Sequence, residues 1–138
     1  MKHWIAVISL SHAQIAADSG FLQVCHGKQG PLKHTSAGDE VFIYCPKTDM
    51  RSGDVLKQIT FRGHFDNDDI YQVEQAPGFT PFRKSVTFDT AFQPVAIKAV
   101  QGLELTANPK WGMLARRGFF EISAHDAEVL GAHEGVLL

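Results

Sequence analysis

The stretch WIAVISLSHAQIAADSG, residues 4–20, predicts the element around which the rest of the chain folds: a buried strand followed by a short helix. Except for Ser9, residues 4–10 are a run of apolar, β-favouring side chains, the pattern of a central strand that is covered on both faces. Ser11 is placed to cap a helix that runs through Ala17. Gly20 can adopt the left-handed conformation that ends such a helix. We therefore expect the chain to open with a strand and a helix at the centre of its core.

Five further runs have the composition of β-strands. Residues 56–65 and 70–74 alternate apolar and polar side chains on either side of the polar residues 66–69, which predicts a hairpin with one solvated face. An earlier run ends at Pro46, because proline cannot donate to a sheet ladder. The five runs are residues 40–45, 56–65, 70–74, 82–88 and 119–122.

Helices are predicted to be few and short. Pro94 at a first turn and the spacing of apolar side chains through residues 95–103 predict one helix. Ser123 is placed to cap a final helix, whose N-terminus Asp126 supports. Residues 21–32, with two glycines and a proline, are predicted to be a loop. Many strands and few helices in 138 residues predict one domain, residues 1–138, of the α+β class: a mixed β-barrel of about five to six strands flanked by short helices.

Charge and composition argue against two classes of protein. A formal net charge of −2 does not suit a protein that holds long duplexes by neutralising phosphates, since that mode requires a large surplus of Lys and Arg. No apolar run approaches the roughly 20 residues of a membrane span, and the start of the chain does not resemble a signal peptide, so we expect a cytoplasmic protein. Cys25 and Cys45 are predicted to be free thiols, and neither a metal nor a cofactor is indicated.

Motifs spread over nearly the whole chain occur in the order that one family shows. They are Trp4-Ile5-x-Val7 with Ser9 and His12, Gly20-Phe21-x-Gln23 followed by His26-Gly27-Lys28 and Pro31-Leu32, Gly38-Asp39 before Tyr44-x-Pro46-Lys47, Phe82-Arg83-Lys84-x-Val86, Pro94, and Trp111-Gly112 with Arg116, Gly118, Phe119 and Glu121-Ile122. On these residues the chain resembles the EVE domain, a branch of the PUA-like superfamily that is related in fold to YTH and ASCH domains.

The resemblance implies a PUA-like barrel with a ligand pocket at one end. Phe21, Tyr44 and Trp111 are candidates for the aromatic wall that a flat base requires. Gln23 offers a donor and an acceptor to a base edge, and Lys28 follows a glycine and suits contact with a backbone phosphate. The pocket residues that the resemblance implies are Ser9, His12, Phe21, Gln23, His26, Lys28, Tyr44, Pro46, Trp111 and Arg116.

Several of these candidates also have a purely structural alternative. Gln23 and Ser9 can satisfy neighbouring backbone groups instead of a ligand. Lys28 can be a solvated loop charge, and Trp111 can be a core residue. The sequence leaves these alternatives open.

The function that the resemblance implies is that of a non-catalytic, monomeric module binding nucleic acid, either RNA or DNA. Such a module takes a modified base, for example a methylated cytosine or adenine, from a single strand or flipped out of a duplex. The alternative is a small amidohydrolase acting on modified nucleosides, as in the ASCH branch, with Lys28 near a hydroxyl and a carboxylate such as Glu74 or Glu121. A protein-interaction module would instead require an exposed apolar patch.

Overall fold

A computed structural model describes residues 1–132 of the chain. These residues contain seven β-strands and four α-helices, joined by loops and short 3-10 turns. The strands are β1 (His3–Val7), β2 (Phe21–Leu22), β3 (Glu40–Lys47), β4 (Val55–Gln72), β5 (Phe82–Phe88), β6 (Val95–Ala96) and β7 (Phe119–Ile122). The helices are α1 (Leu10–Ser19), α2 (Glu104–Ala107), α3 (Trp111–Arg117) and α4 (Ala124–Gly131). No helix in these residues is long and apolar enough to cross a lipid bilayer.

All seven strands belong to one mixed sheet. Its order is β2-β5-β4-β3-β1-β7, and β6 pairs with β4 away from this path. β1 runs parallel to β3 and antiparallel to β7, so the strand predicted to be central has partners on both sides. The predicted α+β class with short flanking helices is confirmed. The sheet has seven strands rather than five or six, and within residues 1–132 no pairing joins its ends, β2 and β7, into a closed barrel.

Each face of the sheet carries an apolar core. Because successive side chains of a strand point to opposite faces, Ile5 and Phe42 pack on one face, while Trp4 and Val41 pack on the other. The first core, which contains Ile5, is covered by residues of α2 and α4. The second core, which contains Trp4, is covered by α1 and includes a side chain of β2.

The hairpin predicted for residues 56–65 and 70–74 is wrong. The first run and residues 70–72 of the second belong to β4, a single strand of 18 residues whose first part pairs with β3 and whose last part pairs with β5. The polar residues between them stay extended at an irregularity in the register with β5. The Asp66 carboxylate accepts a hydrogen bond from Thr87, and Asp68 accepts one from a backbone N–H. Asp66 thus has a partner in β5 and Asp68 has one in the segment before β3, and the chain continues through these residues as one strand.

The helix predicted for residues 95–103 is also wrong. Val95–Ala96 forms β6, which pairs with β4, and a single 3-10 turn follows it. The three side chains with helical spacing, Ile97, Val100 and Leu103, are nevertheless buried in the first core. The apolar spacing therefore predicted correctly which side chains are buried. The local conformation was instead determined by pairing with a neighbouring strand.

The first helix begins earlier than predicted. β1 ends at Val7 and α1 begins at Leu10, so Ser9 rather than Ser11 occupies the N-cap position. Gly20 ends α1 in the left-handed conformation, as predicted, with φ 75°, and its N–H donates to a helix carbonyl. The boundary matters for the site, because Ser9 and the first turn of α1 both face the cavity described below.

Later elements agree more closely with the prediction. β5 and β7 have the predicted bounds, 82–88 and 119–122. Ser123 caps α4, and its Oγ accepts a hydrogen bond from the backbone N of Asp126 at 3.1 Å. β3 continues through Pro46 instead of stopping there, because Pro46 lies where the register between β3 and β4 is irregular and the ladder needs no donor.

Lys84 of β5 is 1% exposed and binds the segment before β3. Its Nζ donates to Oγ1 of Thr35 at 2.8 Å and to the Thr35 carbonyl at 3.2 Å, and it lies 5.4 Å from the centre of the Phe65 ring. Burial lowers the pKa of Lys84 from its ordinary 10.5, and the charges of the neighbouring aspartates, Asp68 foremost, oppose that shift.

We expect the free energy of unfolding to rise with pH between the pKa of Lys84 in the folded protein and 10.5, its ordinary value. In this window the unfolded chain binds the proton that the folded chain has released. The free energy of unfolding therefore decreases as the pH falls through the window. Lys84→Met should remove this part of the pH dependence in urea unfolding curves, whereas Lys98→Met, at an exposed site, should retain it. Parallel pH profiles for the wild type and Lys84→Met would contradict the expectation.

Candidate functional site

A cavity of about 720 Å³ opens beside the second core, where several parts of the chain meet. The end of β1 and the first turns of α1 form one side, the residues that follow β2 form another, and the end of α3 forms a third. Arg83 of β5, with Gln75 and Phe79 from the segment before β5, also lines the cavity, and Met50 between β3 and β4 completes the lining. A volume of this size lies in the range of small-molecule and cofactor sites.

The loop after β2 adopts a conformation that few side chains tolerate. Cys25, His26 and Gly27 have consecutive φ angles of 51°, 60° and 81°, all in the left-handed region. The Cys25 thiol donates to the carbonyl of Arg117 at 3.2 Å, which joins the loop to the end of α3, and Gly27 is buried against Pro81. Non-glycine residues in this region are strained and cluster at functional sites.

Both cysteines carry free thiols, as predicted. Burial raises the pKa of the Cys25 thiol, and the charge of Lys28 opposes that shift. Burial also raises the pKa of Cys45, to about 11. The Cys25 side chain in the cavity is therefore a neutral thiol at pH 7, not a reactive thiolate.

Phe21 and Arg83 form one wall of the cavity. The guanidinium of Arg83 lies over the Phe21 ring, with Cζ 3.8 Å from the ring centre. Arg83 Nε donates to Oε1 of Gln23 at 3.0 Å, and a terminal nitrogen of the same guanidinium donates to Oε1 of Gln75 at 3.1 Å. The cation is thus stacked and hydrogen-bonded in place at the edge of the cavity.

The cavity is cationic although the chain as a whole has a net charge of −2. Its lining contains four Lys and Arg side chains, whereas no Asp or Glu within residues 1–132 belongs to it. The ionisable side chains of the lining, apart from Cys25, are His12, His26, Lys28, Arg83, Arg116 and Arg117. Such a concentration of one sign of charge in a concave site attracts anions.

Apolar side chains occupy part of the mouth. Ile15, Met50 and Phe79 line the cavity, yet they are 56%, 51% and 37% exposed. We call these three residues the apolar rim. The cavity thus combines cationic groups, an aromatic wall and apolar surface near solvent.

The structure brings seven of the ten predicted pocket residues together around this cavity. Ser9 is buried at the start of α1, His12 is exposed on α1, and Arg116 is exposed near the end of α3. The seven residues are Ser9, His12, Phe21, Gln23, His26, Lys28 and Arg116.

The structure does not place Tyr44, Pro46 or Trp111 in the lining. The Tyr44 ring lies 5.4 Å from the Trp111 ring, and Trp111 packs edge-on against Phe120 at 6.3 Å. These rings belong to the first core, on the opposite face of the sheet from the second core. Their binding role stays a prediction, and their position favours a packing role.

Arg83 is the principal lining residue that the sequence reasoning missed. β2 and β5 are antiparallel, with Phe21 opposite Ser85 and Leu22 opposite Lys84, so the next position places Gln23 opposite Arg83. The motif containing Arg83 was visible in the sequence, but its pairing with Gln23 depends on a register between segments 60 residues apart. The other lining residues outside the predicted set include Cys25, Gln75 and Arg117, and the apolar rim.

The groups invoked for an amidohydrolase do not meet in this cavity. Lys28 and Ser9 line it, but Glu74 and Glu121 do not. Within residues 1–132, no three His, Cys, Asp or Glu side chains are arranged to hold a metal ion. The lining therefore offers aromatic, cationic and amide groups for binding.

Comparison with known proteins finds similarity over nearly the whole length of the chain. Residues 2–132 match the family model described as EVE domain. A UPF0310 protein of Streptococcus mutans is 38% identical over 126 residues, 89% of each chain, and UPF0310 protein YdcG of Bacillus subtilis is 33% identical over 136 residues, 98% of this chain and 93% of that one. The solved structure of Rpa0253 from Rhodopseudomonas palustris has the same fold, with a TM-score of 0.62 at 14% identity over 94% of this chain and 90% of that one.

Proposed function

The chain belongs to the EVE domain family, and from that premise we propose that it is a nucleic-acid-binding module whose cavity takes up one nucleotide. One observation carries the proposal: the Phe21–Arg83 wall stands in a cavity lined by four cationic side chains and by no carboxylate of residues 1–132. The Arg83 guanidinium, backed by the Phe21 ring, offers a flat face on which a base can stack, and cations suit the phosphates on either side of the base.

The uneven charge distribution supports a local contact with one or two nucleotides. The chain has 13 Lys and Arg against 15 Asp and Glu, yet four of the cations lie at this cavity. A protein that tracked a long duplex would need positive charge along an extended surface. Here Lys28 and Arg116, both exposed, are the groups we assign to flanking phosphates.

The nucleotide has to be unpaired to enter. A base within a duplex is stacked on both faces, so it reaches a concave site only from a single strand or after flipping, which costs a few kcal/mol. The apolar rim is well placed to contact the neighbouring bases, because its three side chains are at the mouth and partly exposed. We therefore assign single-stranded or flipped-out nucleotides as the ligand, and RNA and DNA remain alternatives for the test.

A modified base is the finer part of this proposal. Val7, Ile8 and Ile15 give the lining apolar surface that a small substituent such as a methyl group can contact. Burying one methyl group contributes about 0.8 kcal/mol, which is roughly a fourfold gain in affinity. Fluorescence anisotropy with paired oligonucleotides, methylated and unmethylated at one position, measures this ratio, and equal affinities would contradict the modified-base part alone.

Salt dependence tests the phosphate contacts. Lys28→Gln and Arg116→Gln should each reduce the slope of log affinity against log salt concentration by about 0.7 for a single-stranded oligonucleotide. The matched control Lys98→Gln, exposed and outside the lining, should leave the slope unchanged. Affinity for short RNA and DNA strands would be measured by anisotropy at several salt concentrations.

Two results would contradict the proposed function. Absence of binding to every oligonucleotide at low salt would exclude a nucleic-acid module. Binding that responds equally to Lys28→Gln and Lys98→Gln would show a diffuse charge effect that does not involve the cavity.

A further inference from the structure

The hydrogen-bonding direction of two amide side chains in the cavity is determined by Arg83. A guanidinium carries only donors, so the groups facing it must be the carbonyl oxygens of Gln23 and Gln75. The amide nitrogen of each glutamine is thereby turned away from Arg83. Among the described residues, neither amide nitrogen donates a hydrogen bond to a protein group.

Three backbone carbonyls at the cavity already accept hydrogen bonds from the protein. The carbonyl of Gly118 accepts from Val7 N at 2.8 Å, that of Arg117 accepts from the Cys25 thiol, and that of Val24 accepts from Gly27 N at 2.9 Å. No carboxylate of residues 1–132 is present. The lining therefore contains four side chains that carry only donors and, among residues 1–132, no carboxylate acceptor.

We propose that Arg83 determines base specificity by holding Gln23 and Gln75 with their N–H groups toward the ligand, so that the cavity selects a base edge with two neighbouring acceptors. This inference rests on the proposed function, since it concerns which base that cavity takes. Gln23, half-buried beside the Phe21–Arg83 wall, donates to the edge of the base. Gln75, which is exposed, supplies the second donor.

The positions of the acceptors on each base determine which bases fit this donor pattern. Cytosine presents O2 and N3 side by side as acceptors, and guanine presents O6 and N7. Uracil places its N3–H donor between its two carbonyls, and adenine places its amino group beside N1 and beside N7, so neither of those edges has two neighbouring acceptors. A base N–H directed at the amide N–H groups would lose its hydrogen bond on entering the cavity. Cytosine and guanine are therefore the preferred bases, and the methyl at carbon 5 of a modified cytosine lies on the opposite side of the ring from O2.

The test uses single-stranded oligonucleotides with abasic sugars at every position except the centre. The central nucleotide carries cytosine, uracil, guanine or adenine, and a fully abasic strand is the reference for backbone binding. Anisotropy titrations of the wild type should show cytosine and guanine bound roughly tenfold more tightly than uracil and adenine, the penalty expected for one buried unpaired donor.

Two variants isolate the roles of the side chains. Arg83→Leu releases both amides to rotate, and Gln23→Glu keeps the partner of Arg83 but removes the donating nitrogen. In each, the ratio of cytosine to uracil affinity should fall to about twofold or less, whatever the change in overall affinity. Lys98→Leu and Gln14→Glu, both exposed and outside the lining, should retain the wild-type ratio. Thermal unfolding of each variant shows that the ratio is measured on folded protein.

The outcomes separate this inference from the proposed function. If all four bases bound equally well and more tightly than the abasic strand, base binding would hold and the inference would be wrong. If the abasic strand bound as well as the others, the cavity would not bind a base at all and the proposed function would fail. A wild-type preference that persisted in both Arg83→Leu and Gln23→Glu would overturn the assignment of specificity to this pair.

Discussion

Replacing Gly27 with alanine is expected to lower the free energy of unfolding by about 3 kcal/mol and to abolish most of the affinity for nucleic acid. Gly27 has a φ of 81°, where a Cβ is unfavourable, and an added Cβ would overlap the Cβ of Pro81 and lie 2.9 Å from its Cα. The loop must then move away from Pro81, and Cys25, His26 and Lys28 move with it. Urea unfolding measures the stability change, and anisotropy with a short oligonucleotide measures the affinity.

Two other glycines provide matched controls for Gly27→Ala. Gly78 has a φ of 79° but nothing within 4 Å of an added Cβ, so Gly78→Ala reports the backbone penalty alone, about 1–2 kcal/mol. Gly30 has neither restriction, so Gly30→Ala should change stability by less than about 1 kcal/mol. If Gly27→Ala were no more destabilising than Gly78→Ala, close packing against Pro81 would not explain the requirement for glycine.

Phe21→Leu is expected to weaken binding of a central-base oligonucleotide roughly 10- to 100-fold, because it removes the ring that holds the Arg83 guanidinium flat in the wall proposed to stack on the base. Leucine keeps most of the apolar volume of this buried side chain, so the free energy of unfolding should change by less than about 1.5 kcal/mol. The loss should be much smaller for the abasic strand, which lacks the stacking partner. Anisotropy titrations of both strands measure the two effects.

The control for Phe21→Leu is Phe88→Leu. Phe88 is also aromatic and half-buried, packs against the second core and lies outside the cavity. It should bind both strands as the wild type does. Equal affinity of Phe21→Leu and wild type for the base-containing strand would show that Phe21 is a core residue only.

Much of the fold could be predicted because apolar and alternating runs along the chain indicate which segments form buried strands. β1, β3, β5 and β7 were all identified from apolar or alternating runs, and the cap of α4 from Ser123 and Asp126. The wrong predictions concern segments whose backbone pairs with a strand distant in the sequence instead of forming a local turn or helix. β4 stayed extended across its aspartates, and Val95–Ala96 paired with β4 instead of starting a helix.

The candidate site was predictable to the extent that its residues lie in short motifs. Phe21, Gln23, His26 and Lys28 are close in sequence, and all four line the cavity. Tyr44 and Trp111 have the chemistry of a base-binding wall, but alternation along β3 turns the Tyr44 side chain to the other face of the sheet. Residue type alone could not distinguish the two faces.

The sequence by itself determined the class of the fold, the family and the chemistry of most residues around the cavity, because motifs and apolar periodicity depend on neighbours along the chain. The tertiary structure decided which of those residues meet. Arg83 comes to Gln23 only through the antiparallel register of β2 and β5, and that pairing sets which way the amide donates. Hydrogen-bond direction depends on contacts between distant segments, so local sequence patterns do not encode it.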